Sequence, residues 1–241
     1  MIEEILPGPV VSAESFGDLA GAEPYPAERA AVAAAPPARR REFATTRACA
    51  RRALGGLGLP AGPVPPGERG APRWPAGVVG SMTHCAGYRA AAVARGTDVR
   101  ALGIDAEPHE PLPGRVLRAI TGDAERAALA GLAAALPRTH WGRLLFSAKE
   151  SVYKVWFPLT RRPLGFRHVT VEFDPAGNGF AAGLVPPPPA PPFTRLTGRW
   201  LVRDGLILTA LAVAAGPDVT AEPGVTAEPG VTAEPGVTAR R

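Results

Sequence analysis

The sequence predicts an α+β fold, with helices and antiparallel strands mixed and no regular βαβ alternation. Two observations carry this. Val78–Ala94 reads as strand, turn at Ala86-Gly87, strand, which is the pattern of an antiparallel pair rather than a crossover. Thr139–Phe157 reads as one long helix, with Leu144, Leu145, Ala148, Val152 and Val155 at helical spacing.

Taken in order, Pro36-Pro37 opens a helix over Ala38–Leu57, which Gly55-Gly56 and Gly58 close. Pro60–Pro75 is a loop dense in Pro and Gly. The strand pair of 78–94 follows, and Val99–Ala106 forms a third strand ending on acids. Val116–Ile120 and Asp123–Leu132 are short helices, and Pro158 is expected to end the long one. Stretches 169–173 and 180–185 are strand-like. Pro186–Pro192 is a stiff polyproline connection to a last strand over Arg199–Ala214. The unit Val-Thr-Ala-Glu-Pro-Gly starts at Val219, Val225 and Val231, with a broken copy at Val237. It has almost no bulky side chain to bury, so 216–241 is expected to be a disordered tail.

The 241 residues are 46% hydrophobic, enough for one good core or two small ones in contact. No apolar run approaches the roughly 18 residues of a membrane span. The start, Met1-Ile2-Glu3-Glu4, is acidic where a secretory signal is basic, so the expected location is the cytoplasm. Cys49 and Cys85 make neither a CxxC pair nor a disulfide framework and are expected to be reduced. The chain carries +5; the tail's four acids and two arginines leave +7 on the rest, which favours an anionic partner or substrate.

Only two of the 27 basic residues are lysines, Lys149 and Lys154, in a chain otherwise committed to arginine. A guanidinium cannot replace a compact ammonium, so their segment is where chemistry is expected first. On a helix Glu150 and Lys154 are neighbours one turn apart, and Lys149 lies about 100° round from Glu150. Asp105 and Glu107 share one face of a strand, and two close carboxylates repel unless a cation lies between them. A hard cation, Mg²⁺ above all, suits them, and Glu150 would be a third acid. The plainer reading is an acidic strand end and a solvated helix face. In Gly80-Ser81-Met82-Thr83-His84-Cys85 small polar groups converge on one histidine. His109, His140 and His168 show no metal-ligand spacing with it, which excludes a zinc site. Arg39, Arg40, Arg41 and Arg47 line the first long helix, and Arg69 and Arg73 lie in the loop; guanidinium forks suit phosphate. Arg51 and Arg52 read as a solvated face.

Gly80–Tyr88, then Gly103–Pro108, then Phe146–Lys154 followed by Trp156–Leu159, in this order, closely resemble the 4′-phosphopantetheinyl transferases of the Sfp/EntD-like class, in the subgroup common in actinobacteria. The Arg39–Phe43…Arg47 helix and Trp74-Pro75 are also similar, and the resemblance spans roughly 5–214. It implies two pseudo-symmetric α+β halves, each an antiparallel sheet packed on a long helix, with coenzyme A in the cleft between them. The join falls near Glu110–Leu112, giving halves 1–110 and 111–215. It implies Mg²⁺-dependent transfer of the phosphopantetheine arm from coenzyme A to a serine of an acyl or peptidyl carrier protein by a monomer. Fatty-acid, polyketide, siderophore and non-ribosomal peptide carriers are all open. By family position Asp105, Glu107 and Glu150 hold the metal, and Glu150 or a metal-bound water takes the serine proton. Lys154 serves the leaving phosphate and Lys149 clamps the pyrophosphate. Arg39, Arg47, Arg69 and His84 hold the phosphates of coenzyme A, and Ser81, Met82 and Thr83 lie along its adenine and ribose, partly through backbone groups. Two other readings compete, a Mg²⁺-dependent phosphodiesterase or nuclease and a basic nucleic-acid-binding protein. Against the latter, aromatics are 6% of the chain and do not interleave with the arginines.

Overall fold

A computed structural model describes residues 1–185 and 193–216; the expected polyproline connection and the repeats of 217–241 lie outside the described residues. Strands β1 (Val11–Phe16), β2 (Val78–Cys85) and β3 (Tyr88–Arg95) form one antiparallel sheet in the order β1-β3-β2. Strands β4 (Val99–Pro108), β5 (Val169–Asp174), β6 (Gly179–Leu184), β7 (Arg195–Arg203) and β8 (Leu206–Ala214) form a second, in the order β4-β8-β7-β6-β5. The helices are α1 (Pro26–Arg29), α2 (Pro37–Gly56), α3 (Gly114–Ile120), α4 (Asp123–Ala135) and α5 (Trp141–Thr160). The α+β class is therefore the one expected. α2 covers the first sheet and α5 the second.

The two sheets meet across β3 and β4. β3 is buried on both faces, and its run Ala90-Ala91-Ala92-Val93-Ala94 explains how. Ala91 and Val93 pack under Cys49, Ala53 and Leu54 of α2. Tyr88, Ala90, Ala92 and Ala94 pack on Leu102, Ile104 and Ala106 of β4 and Leu208 of β8. Small side chains let both layers approach. On its other face β4 meets α5, whose Leu144, Leu145, Ala148, Val152 and Val155 are all fully buried. Burying each leucine or valine stabilises by about 1.5–3 kcal/mol.

β4 is an edge strand of the second sheet, paired with β8 alone. Its open edge lies against the face of β2, where no ladder forms. Instead the Ser81 hydroxyl accepts from the Ile104 N–H at 3.1 Å and the Thr83 hydroxyl accepts from the Ala106 N–H at 2.9 Å. Hydroxyls two residues apart on one strand meet amides two residues apart on the next, as the two-residue period requires. The expected join at 110–112 leaves β4 with the first half; its backbone ladder runs with the second and its hydroxyl partners belong to the first.

Three local expectations are corrected. Pro158 does not end α5, which runs to Thr160; a proline in the last turn costs little there, and Arg161 in the left-handed conformation (φ 56°) closes the helix. Arg199–Ala214 is not one strand but the hairpin β7-β8, turning at Asp204-Gly205 with φ of 52° and 75°. That dipeptide is a strong hairpin signal. Arg51 is not solvated: it pairs at 3.3 Å with the fully buried Glu28 and stacks over Tyr25.

Gly103 sets the distance between β4 and α5. A Cβ there would run into the Ser151 carbonyl oxygen, closer than non-bonded atoms tolerate. Gly103→Ala is therefore expected to destabilise by more than about 3 kcal/mol, through overpacking against backbone that cannot yield. Urea unfolding followed by circular dichroism checks this; a loss under about 1 kcal/mol would refute it.

Candidate active site

On the α5 side of β4, Asp105 and Glu107 lie two residues apart on one face, beside Glu150 and Lys154 one turn apart on the helix. Asp105 is buried, 5% exposed. Its Oδ1 accepts from Lys154 Nζ at 2.7 Å and from the Thr83 hydroxyl at 3.4 Å. Its Oδ2 is buried with no partner among the described residues. Lys154 Nζ also donates to the Ile104 carbonyl at 2.9 Å, leaving one of its three protons for a further acceptor.

The three acids feel one another. Burial pushes the Glu107 carboxyl above the usual range, and the charges of Asp105 and Glu150 add to that, while Arg143 opposes it. Burial, then Asp105, pushes Glu150 up as well, with Lys154 opposing. Like charges gathered in a half-buried place ask for a cation. Glu107 Oε2 is meanwhile held by Arg143 Nη1 at 2.9 Å. Among the described residues no three His, Cys, Asp or Glu side chains stand close enough to hold a metal as they are placed. The unpartnered Asp105 oxygen and the mutual repulsion fit a divalent cation nonetheless, since a hard cation takes carboxylate oxygens.

Beyond Thr83, β2 leads to a basic rim. His84 Nε2 lies 2.7 Å from Arg39 Nη1, and its Nδ1 lies 3.1 Å from Glu42. Burial pushes the imidazole pKa down; Glu42 opposes this, and Arg39, Lys154 and Arg89 add to it. Lys154 thus bears electrically on His84 while it pairs with Asp105. Arg39 also bonds Glu42 at 2.5 Å. Arg47 is buried, its guanidinium 3.9 Å over the Phe43 ring, with Nε donating to the Val64 carbonyl. Burial lowers its pKa to about 10; Glu28 opposes this, and Arg39 and Arg51 lower it further. Arg69 sits in the left-handed conformation (φ 50°) at the exposed tip of a loop closed by the Pro66–Pro72 bridge.

Several expected ligands are placed elsewhere. Lys149 does not reach the acids, and the clamp on a pyrophosphate expected of it is corrected. Its ammonium is fully buried and donates to the Ile120 carbonyl at 2.7 Å, the Phe166 carbonyl at 3.1 Å and Glu125 Oε2 at 2.7 Å. All three protons are used. Burial lowers its pKa, against the pull of Glu125. Glu125 Oε1 accepts from the Val171 N–H, so the pair ties α5 to the end of α3, to α4 and to β5. The hydroxyls of Ser81 and Thr83 serve β4, and the Met82 side chain packs under α2. What β2 still offers a planar ligand is backbone. Trp74 Nε1 donates to the Gly80 carbonyl at 2.9 Å, so that residue's polar groups face away from β3. Antiparallel alternation turns those of Met82 and His84 the same way.

Sequence reasoning missed Glu42, Arg89 and Arg143. Glu42 lies three residues after Arg39 on α2, a spacing that signals contact. Arg89 pairs with Asp18 at 2.9 Å and Arg143 with Glu107, and neither long-range partner has a local signature.

Half-buried acids beside a basic rim suit an enzyme acting on a phosphate-bearing substrate. Residues 27–94 match the family model described as the 4′-phosphopantetheinyl transferase N-terminal domain, and 101–201 that of the 4′-phosphopantetheinyl transferase superfamily. The chain is 54% identical over 222 residues to the 4′-phosphopantetheinyl transferase Svp of Streptomyces mobaraensis, covering 89% of this chain and 90% of the relative. It is 48% identical over 225 residues to Npt of Nocardia iowensis (89% and 100%) and 45% identical over 229 residues to PptT of Mycobacterium tuberculosis (88% and 98%). The chain belongs to the 4′-phosphopantetheinyl transferases.

Lys149→Met leaves Glu125 without its cation and is expected to cost about 3–5 kcal/mol. Adding Glu125→Leu should recover a large part of that, measured as a double-mutant cycle in urea; strict additivity would refute the pairing. Glu150→Gln is expected to raise the stability of the metal-free protein at pH 7. A carboxyl whose folded pKa is raised contributes stability below its unfolded value, near 4.5, and loses it as pH rises through the folded value. The gain should therefore vanish toward pH 4. Melting temperatures of both proteins across that range check the sign.

Proposed function

We propose that this chain moves the phosphopantetheine arm of coenzyme A to a serine hydroxyl of an acyl or peptidyl carrier protein, with Mg²⁺ held by Asp105, Glu107 and Glu150. Adenosine 3′,5′-bisphosphate leaves. The single observation that carries the metal assignment is the buried, unpartnered Oδ2 of Asp105 among carboxyls that burial and mutual charge push up. Bound there, Mg²⁺ would supply charge neutralisation and polarisation of the attacked phosphate.

The chain's own groups account for the rest. Arg39, Arg47 and His84 favour the 3′-phosphate end, since two arginines within electrical reach of each other are relieved by an anion. Arg69, exposed on its loop, is a further charge for the phosphates. The outward edge of β2 at Met82 and His84 offers N–H and C=O groups to the adenine and ribose. Lys154 has one proton free to meet the departing phosphate oxygen. Glu150 takes the serine proton, directly or through a water. The free cysteines Cys49 and Cys85 fit a reducing compartment, and no described helix is long and apolar enough to cross a membrane, so we place the enzyme in the cytoplasm.

Intact-mass analysis of apo carrier proteins incubated with coenzyme A and Mg²⁺ tests this. A gain of one phosphopantetheine arm is expected, abolished by a chelator and restored by excess Mg²⁺. Glu150→Gln is expected to lower the rate at least about 10²-fold, the scale of general base loss. Wild-type rates from that variant would remove Glu150 from the mechanism.

A further inference from the structure

Ser81 and Thr83 perform the same structural task and differ in one contact. Both side chains are buried, at 3% exposure, and each hydroxyl accepts from one β4 amide, Ile104 for Ser81 and Ala106 for Thr83. An accepting hydroxyl still has a proton to give. That of Thr83 has Asp105 Oδ1 at 3.4 Å. Ser81 has no such carboxylate partner among the described hydrogen bonds.

The contact has a consequence for Asp105. A carboxylate has two equivalent oxygens and rotates freely unless something distinguishes them. Here two donors, Thr83 Oγ1 and Lys154 Nζ, converge on Oδ1 from opposite layers, and Oδ2 is buried with none. Lys154 comes from α5 on a long flexible stem. Thr83 comes from β2 with its own hydroxyl pinned by the Ala106 N–H, in the next residue after Asp105. Lys154 Nζ is likewise held on that strand, by the Ile104 carbonyl at 2.9 Å, so both donors reach Oδ1 from points tied to β4.

We propose that Thr83 is a positioning residue for the metal site: its hydroxyl fixes the rotation of the Asp105 carboxylate and presents Oδ2 to the divalent cation. The proposal rests on the reading of Asp105 as a metal ligand. It gives the Gly80–Cys85 strand a second task besides binding coenzyme A, and it makes the β2–β4 seam part of the metal site.

Ser81 supplies the control. Mn²⁺ serves as probe, titrated into the purified full-length chain without coenzyme A or carrier and followed by its electron paramagnetic resonance signal, with Mg²⁺ competition. Thr83→Val is expected to weaken Mn²⁺ binding at least about tenfold, the usual scale for losing a hydrogen bond to a metal ligand. Thr83→Ser, which keeps the hydroxyl, should stay within about threefold of wild type. Ser81→Ala should lower the melting temperature of the metal-free protein about as much as Thr83→Val does, and leave Mn²⁺ affinity unchanged. If the valine protein does not fold, Thr83→Cys replaces it, since a thiol is a weak acceptor and donor of similar size. The proposal is overturned if Thr83→Val binds Mn²⁺ as wild type while Asp105→Asn does not, or if Ser81→Ala weakens binding as much as Thr83→Val. If Asp105→Asn also binds as wild type, the metal reading itself has failed.

Discussion

The lie of β4 between two layers governs this molecule. Its alternate residues must satisfy opposite demands: Leu102, Ile104 and Ala106 enter the apolar layer against β3, and Gly103, Asp105 and Glu107 face α5. Because the period of a strand is two, the same register that buries the leucine and isoleucine places both acids against the helix. Gly103 lets α5 close onto the strand, and that closeness brings Glu150 and Lys154 to Asp105. Core packing and the charged cluster are thus one constraint met from two faces.

A cluster of this kind opposes folding. Glu107 and Glu150 are held where burial and a neighbouring charge both disfavour ionisation, and Asp105 keeps one oxygen without a donor. Natural proteins retain such unsatisfied groups where function needs them. The apolar layers on either side, α2 over β3 and α5 over β4, offset that load.

Much of this was legible in the chain. The alternation of Asp105 with Glu107 on a strand, and the spacing of Glu150 and Lys154 on a helix, follow from period alone, and both elements form where the pattern places them. The two lysines stand five residues apart on one helix, and local spacing does not divide their roles. Which way an ammonium points depends on what packs beside it: β4 in one case, Glu125 and two carbonyls in the other. That the Ser81 and Thr83 hydroxyls serve β4 has no local sign, because the open edge of β4 exists only once strand order is known. Arg143 with Glu107 and Arg89 with Asp18 escaped for the same reason, since long-range pairs leave no periodic trace. The Asp204-Gly205 turn did have a local signature.

The seam between β2 and β4 has a mechanical consequence. Elsewhere strands are held by continuous ladders, as between β2 and β3 along eight residues. Across the seam two hydroxyls stand in for a ladder, and apolar contacts, which have no direction, supply the rest. A small slide of one layer over the other therefore breaks few directional bonds and leaves both sheets whole. Shear along this line costs less than parting a ladder, and it would carry the hydroxyls of β2 past the amides and the Asp105 carboxylate of β4.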